Sequence, residues 1–161
     1  MTTDKPLLVV IAGPTASGKT ALAIQLAQQF QTEILSCDSR QFYHELNIGT
    51  AKPTPEELAA AQHHFIGHIS IIEPYNVSRF ETDALELLSA LFRKHPVVIM
   101  VGGSGLYIDA VCKGIDTLPD PDPEIRAELK SILGRDGIEA LRRELRTFDP
   151  EYARTADLAN P

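Results

Sequence analysis

The sequence predicts an α/β fold, a parallel sheet flanked by helices, on three observations. Residues 7–12 form a continuous apolar run, partly β-branched, of the kind carried by a strand buried on both faces. Gly13, Pro14, Thr15, Ala16, Ser17, Gly18, Lys19 and Thr20 then fill the phosphate-loop pattern G-x-x-x-x-G-K-[ST] without a gap. A helical stripe follows at Leu22, Leu26 and Phe30. Strand, glycine-rich loop and helix in this order are the context in which that loop holds a diphosphate, so the fold expected is the P-loop NTPase-like one. The backbone N–H groups surround the anion at a helix N-terminus, Lys19 adds positive charge, and Thr20 offers a hydroxyl to Mg²⁺.

The remaining elements follow from local signals. Residues 33–37 read as a second short strand ending in the polar cluster Asp38-Ser39-Arg40-Gln41. A strand–loop–helix–strand unit requires a right-handed crossover, which brings both strand ends to one crevice and Asp38 to the phosphate loop. Thr54-Pro55-Glu56-Glu57 is a capping box opening a helix to about residue 62, and residues 63–72 are mixed, with room for a short strand. Ser78-Arg79-Phe80-Glu81 is a second capping box, whose helix carries Leu85, Leu88 and Phe92 and stops at His95-Pro96. Residues 97–101 make a third strand that ends in Gly102-Gly103, and a helix from Leu106 to about Val111 follows.

After Gly114 the texture changes. Pro119, Pro121 and Pro123 mark an extended linker, Asp122 caps a helix ending at Gly134, Ile138, Leu141 and Leu145 mark another, and Asp149-Pro150 begins a third. The domain organisation expected is therefore an α/β core over residues 1–113 and the beginning of a helical insertion over 114–161. Three strands fall short of the five or so that such a core usually holds, so further strands are expected beyond residue 161.

Composition narrows the class. Apolar residues make up 43% and charged residues 23%, which suits a soluble globular chain. No apolar run spans a bilayer, and the N-terminus lacks the basic-then-apolar pattern of a secretory signal, so a cytoplasmic setting is expected. Cys37 and Cys112 read as two buried free thiols, in keeping with a reducing compartment. The net charge of −7 excludes nucleic-acid binding by bulk charge. Residues 113–161 hold eight basic against eleven acidic residues, so any RNA contact there needs a sorted face.

The chemistry-bearing residues cluster at the strand ends. A motor or switch ATPase needs a carboxylate after an apolar strand to hold Mg²⁺. Residues 97–101 end in two glycines instead, which suggests a substrate passing close to the backbone. Asp38 is the candidate acid–base or orienting group, with a turn or cap aspartate as the bland alternative. Ser39, Arg40 and Gln41 can hydrogen-bond a base or phosphate. His63 and His64 are adjacent on a short extended run and point to opposite faces, which argues against a shared metal ion. Tyr43, Tyr75 and Tyr107 read as wall or core residues.

Four segments together resemble one family, the tRNA dimethylallyltransferases: G-P-T-A-S-G-K-T at 13–20, S-C-D-S-R-Q-F-Y at 36–43, N-I-G-T-A-K-P at 47–53 and V-G-G-S-G-L-Y at 101–107. H-H-F-I at 63–66, Y-N-V-S-R-F at 75–80 and D-P-E-I-R at 122–126 are weaker likenesses. The resemblance implies transfer of a dimethylallyl group from its diphosphate to the exocyclic amine of the adenosine 3′ of the anticodon, with Mg²⁺ as cofactor and a tRNA anticodon stem-loop as partner. It implies that residues 13–20 hold the leaving diphosphate, that Lys19, Thr20 and Asp38 are catalytic, and that Asp38 takes the amine proton. Ser39, Arg40, Gln41, Ser104 and Arg126 match RNA-contacting positions.

Asn47 and Gly67 depart from the family pattern, which often has Asp at both. Family members are also roughly twice as long, so the chain reads as an N-terminal portion, expected to be monomeric. Two alternatives stay open on the residues: prenylation of free adenine nucleotide, and a P-loop kinase using ATP. A catalytically inert RNA- or nucleotide-binding piece is a third.

Overall fold

The computed structural model describes residues 5–116 and 122–159 and divides into two compact units between residues 117 and 118. Pro119 and Pro121 lie outside the described residues. In the first unit the order is β1 (Leu7–Ala12), α1 (Lys19–Phe30), β2 (Ile34–Ser36), α2 (Pro55–Ala60), β3 (His63–His64), α3 (Val77–Leu91), β4 (Val97–Gly102) and α4 (Gly105–Lys113). The four strands are parallel, in the order β1-β4-β2-β3. β4 thus slides between β1 and β2, and the ends of all three meet on one rim.

Strand alternation sorts the core into two layers. Ile99 and Val101 of β4 and Ile34 of β2 face Ala23, Ile24 and Ala27 of α1. Val98 and Met100, with Leu35 and Cys37, face Phe80, Ala84, Leu88 and Leu91 of α3 and Val111 of α4. Phe42 anchors the second layer: it stacks on Phe80 at 5.0 Å between ring centroids and meets Phe65, Tyr75 and Tyr107 edge-on. Tyr75 and Tyr107 are therefore core residues, and Tyr43 packs against the same layer.

Several local expectations are corrected. Among the described residues β1 pairs with β4 alone, and Leu7 and Val10 on it are exposed. The buried stripe of α1 is Ala23, Ile24 and Ala27. Leu22 and Phe30 stay exposed, because small residues let the helix lie close to the sheet. α3 begins at Val77, and its cap is the Asn76 side chain accepting from the Arg79 N–H at 2.9 Å, not Ser78. Its buried face runs through Phe80, Ala84, Leu88 and Leu91, leaving Leu85 exposed. The Thr54 capping box is present, with Thr54 and Glu57 exchanging both bonds. Cys37 is buried and free, but Cys112 is free and exposed, because it turns off the inner face of α4.

The second unit holds α5 (Pro123–Asp136), α6 (Ile138–Phe148) and a 3₁₀ turn at Tyr152–Arg154. Asp122 caps α5 through Glu124 N–H at 2.8 Å. The helix continues past Gly134 and stops at Gly137, whose φ of 74° ends it and starts α6. Where Asp149-Pro150 was expected to open a helix, only the 3₁₀ turn forms. The Arg142 guanidinium donates to the Leu158 carbonyl at 2.7 Å and ties the turn back to α6. Among the described residues no helix is long and apolar enough to cross a membrane.

Candidate active site

The phosphate loop turns out of β1 through two left-handed residues, Ala16 (φ 62°) and Gly18 (φ 83°). Gly18 opens α1 with no side-chain cap, and the first turn carries no acid. The N–H groups at this helix end therefore keep their free valences, which is the arrangement that binds anions. Lys19 bends back so that its ammonium donates to the Pro14 carbonyl at 2.5 Å. Among the described residues the Thr20 hydroxyl makes no hydrogen bond and forms part of a cavity wall.

That cavity, about 300 Å³, is lined by Thr15, Ala16, Ser17, Gly18, Lys19 and Thr20 of the loop and by Asp38, Gln41, Lys52, Glu57 and His63, with Ala51, Pro53, Ile66 and Val101 as apolar wall. Alternation along β2 explains the place of Asp38: Ile34 and Ser36 face α1, and Asp38 continues their side. Its carboxylate accepts from the Arg40 N–H at 3.1 Å through one oxygen, leaving the other free. A Cβ on Gly103 would lie 3.5 Å from the Gly13 carbonyl and 3.9 Å from that second oxygen, so three strand ends converge there.

The two glycines after β4 serve different purposes. A Cβ on Gly102 would meet the Cys37 carbonyl oxygen at 2.0 Å, so this glycine is required by the contact between β4 and the end of β2, not by a passing substrate. Burial in that contact pushes the Cys37 thiol up to about 12. Gly103 is exposed and leaves the rim open beside Asp38.

The other site residues expected from sequence divide into three groups. Ser39 and Ser104 are brought together: the Ser104 hydroxyl accepts from the Ser39 N–H at 3.0 Å and reaches the Ser39 hydroxyl at 3.2 Å. Arg40 is exposed next to them. Gln41 is spent on the fold: it accepts from the Ser36 hydroxyl at 3.1 Å and donates to the carbonyls of Thr50 and Ala51 at 3.2 and 2.9 Å. Arg126 is an exposed residue in the first turn of α5, in the second unit.

Two cavity residues carried no site role in the sequence reading. His63 donates through Nδ1 to the Ala61 carbonyl at 2.8 Å, and burial lowers its pKa, so the ring is neutral. Among the described residues its buried Nε2 has no partner, and it can accept a hydrogen bond from a ligand. Lys52 is the second. Neither has a strong signal in sequence, since one histidine and one loop lysine become site residues only when β3 and the 50–53 segment close over the phosphate loop.

The family model for IPP transferase matches residues 41–161, three-quarters of the chain. The chain belongs to the IPP transferase family. The tRNA dimethylallyltransferases of Christiangramia forsetii and Flavobacterium johnsoniae are 56% and 52% identical to it over 154 residues, covering 96% of the chain and 51% and 50% of those proteins. The full-length tRNA isopentenylpyrophosphate transferase of Bacillus halodurans superposes with a TM-score of 0.68 at 35% identity, over 97% of the chain and 52% of that structure. A eukaryotic dimethylallyltransferase acting on tRNA superposes at 0.76 with 29% identity, over 97% and 39%. The chain thus spans about half the length of the curated relatives it matches. The IPP transferase match begins at Gln41, so the phosphate loop and Asp38 precede it and are covered by the relatives instead.

Proposed function

We propose that this chain provides the donor-binding half of a tRNA dimethylallyltransferase, and that residues 13–20 hold the diphosphate of dimethylallyl diphosphate. One observation carries this reading: Asp38, with a carboxylate oxygen free, lines the same cavity as an uncapped phosphate loop and an apolar wall. The N–H groups at the start of α1 and the Lys19 ammonium neutralise the diphosphate as it leaves. Ala51, Pro53, Ile66 and Val101 suit a five-carbon chain. The exocyclic amine of the adenosine 3′ of the anticodon attacks the allylic carbon, the carbon–oxygen bond breaks with its electron pair on the diphosphate, and Asp38 receives the amine proton. Entry of the adenine requires that it leave its stack.

The Thr20 hydroxyl on the cavity wall is a hard oxygen donor that suits Mg²⁺. When bound, that ion supplies charge neutralisation at the leaving group. Ser39, Arg40 and Ser104 at the rim, and Arg126 on α5, contact the tRNA, while Gln41 positions the 50–51 segment. The α/β core is taken as residues 1–113 and the tRNA-gripping helical insertion as starting at 114. The setting proposed is cytoplasmic and the protein monomeric.

Incubation of the full-length protein with labelled dimethylallyl diphosphate and unmodified tRNA, AMP or ATP tests this directly. Label in tRNA is expected. Label on free nucleotide, or phosphate transfer from ATP, would replace the reading.

A further inference from the structure

One histidine on the cavity wall is left without a task by the reading above. His63 lies on β3 in register with Ile34, and so on the face of the sheet that carries Ser36 and Asp38. Its Nδ1 is turned to the Ala61 carbonyl at 2.8 Å, and Ala61 is not a wall residue, so the edge of the ring left for the cavity is the one with Nε2. Among the described residues this nitrogen is the one buried side-chain polar atom without a hydrogen-bond partner. Because Nδ1 faces a carbonyl it holds the hydrogen, and Nε2 is an acceptor.

A buried acceptor without a partner is costly, and a fold keeps one where a ligand or an ordered water brings the donor. The charged groups around it are engaged elsewhere. The Glu57 carboxylate, whose charge acts on His63, accepts from the Thr54 N–H at 2.8 Å, and Asp38 accepts from the Arg40 N–H. The ammonium groups of Lys19 and Lys52 donate to the carbonyls of Pro14 and Tyr43, and His64, next on the strand, is held by Glu33. The cavity, about 300 Å³, is little larger than a diphosphate with a five-carbon tail, so an anion held by residues 13–20 shares this wall. An ionised diphosphate presents oxygen acceptors. An acceptor nitrogen meets an acceptor oxygen only with a proton between them.

We propose that His63 is a proton-linked contact for the diphosphate of the prenyl donor, in which Nε2 and a phosphate oxygen share one proton taken up from solution on binding. This rests on the reading of the cavity as a donor site. In the free protein burial keeps the ring neutral, and the charge of the anion reverses that preference. One solvent proton enters with the anion and leaves with the product diphosphate. Binding therefore tightens as the pH falls from about 8 to about 6.5.

Calorimetry of inorganic pyrophosphate binding to the full-length protein, in buffers of different ionisation heat near neutral pH, reads that proton. Two variants separate it from protons exchanged by the anion itself. His63→Asn keeps an N–H for the Ala61 carbonyl and removes Nε2. His63→Gln sets an amide that does not titrate near the Nε2 position, and its N–H can donate to the anion. The wild type should take up about half a proton or more per pyrophosphate beyond either variant. His63→Asn should bind pyrophosphate about three- to thirtyfold more weakly, and His63→Gln should recover most of that affinity with a flatter dependence on pH.

Equal proton uptake in all three proteins would overturn the proposal and leave Nε2 to an ordered water. Weaker binding in His63→Asn with unchanged proton uptake would overturn it as well, as an effect of scaffolding. So would a loss confined to tRNA affinity, read by filter binding at fixed salt. If the wild type bound no pyrophosphate, or transferred phosphate from ATP and no prenyl group, the donor-site reading would fail by itself, and the contact would fail with it.

Discussion

The two ends of the sheet treat their polar groups in opposite ways. At the end where the strands begin, polar groups satisfy one another. The Glu33 carboxylate bridges His64 Nε2 at 2.6 Å and His95 Nε2 at 3.4 Å, and Thr32 Oγ1 donates to the Val97 carbonyl at 2.6 Å. At the end where the strands finish, one Asp38 oxygen and the N–H groups opening α1 are left over among the described residues. Closed networks hold a fold together, and open valences inside a cavity are where a ligand gains its binding energy. The contrast predicts that substitutions at the first end cost stability and those at the second cost activity.

The sharpest way to break that contrast is at Asp38. Asp38→Asn keeps an acceptor for the Arg40 N–H, so its unfolding midpoint should match wild type. Its prenyl-transfer rate should fall by about 10²–10⁴. A stability loss with the rate intact would reverse the assignment of this end. Gly102 is an exception that sharpens the rule, since it stands at the open end for a packing reason. Gly102→Ala drives a methyl into the Cys37 carbonyl and should cost on the order of 4 kcal/mol, visible as a large drop in the denaturant midpoint.

A smaller effect is expected at Glu33. Burial opposes its ionisation, but hydrogen bonds and charge from His64 and His95 outweigh that and hold the carboxyl below its ordinary range. A depressed folded-state value means that the stabilisation is complete above about pH 4.3 and disappears as pH falls through the folded value. Glu33→Gln should therefore lose about 1–2 kcal/mol at pH 7 and much less near pH 3, with transfer activity retained.

The smallest effect is at His63. Its pKa is lowered by burial, so the wild-type protein should lose stability as pH falls below about 6.5, where the unfolded chain takes the proton first. His63→Asn should flatten that slope by under about 1 kcal/mol between pH 7 and 5.5, measured by urea titration.

Much of this arrangement is legible in the order of residues. The phosphate-loop pattern after an apolar run fixes the loop on a strand end, and the Thr54 and Asp122 caps fix two helix starts within a residue. These are local signals, in which a few neighbouring side chains satisfy a few neighbouring N–H groups. At the start of α3, Asn76 and Ser78 are both competent caps two residues apart, and the one used is Asn76, which accepts from the Arg79 N–H.

What the sequence by itself determined is the parallel α/β class, the loop that receives an anion, and the candidacy of Asp38. What only the tertiary structure decided is neighbourhood. The segments LLVVIA of β1 and VVIMVG of β4 are nearly interchangeable as hydrophobic strings, yet among the described residues the first pairs with β4 alone and leaves Leu7 and Val10 exposed, and the second is the buried centre. Strand order is set by which helix layers cover which faces, a property of the whole chain. The same long-range placement makes Gly102 a contact with Cys37, turns Gln41 into a clamp, and brings Lys52 and His63 to a cavity whose other wall lies 30 to 50 residues away in sequence. Periodicity cannot encode such pairings, because they depend on distance through the core and not on distance along the backbone.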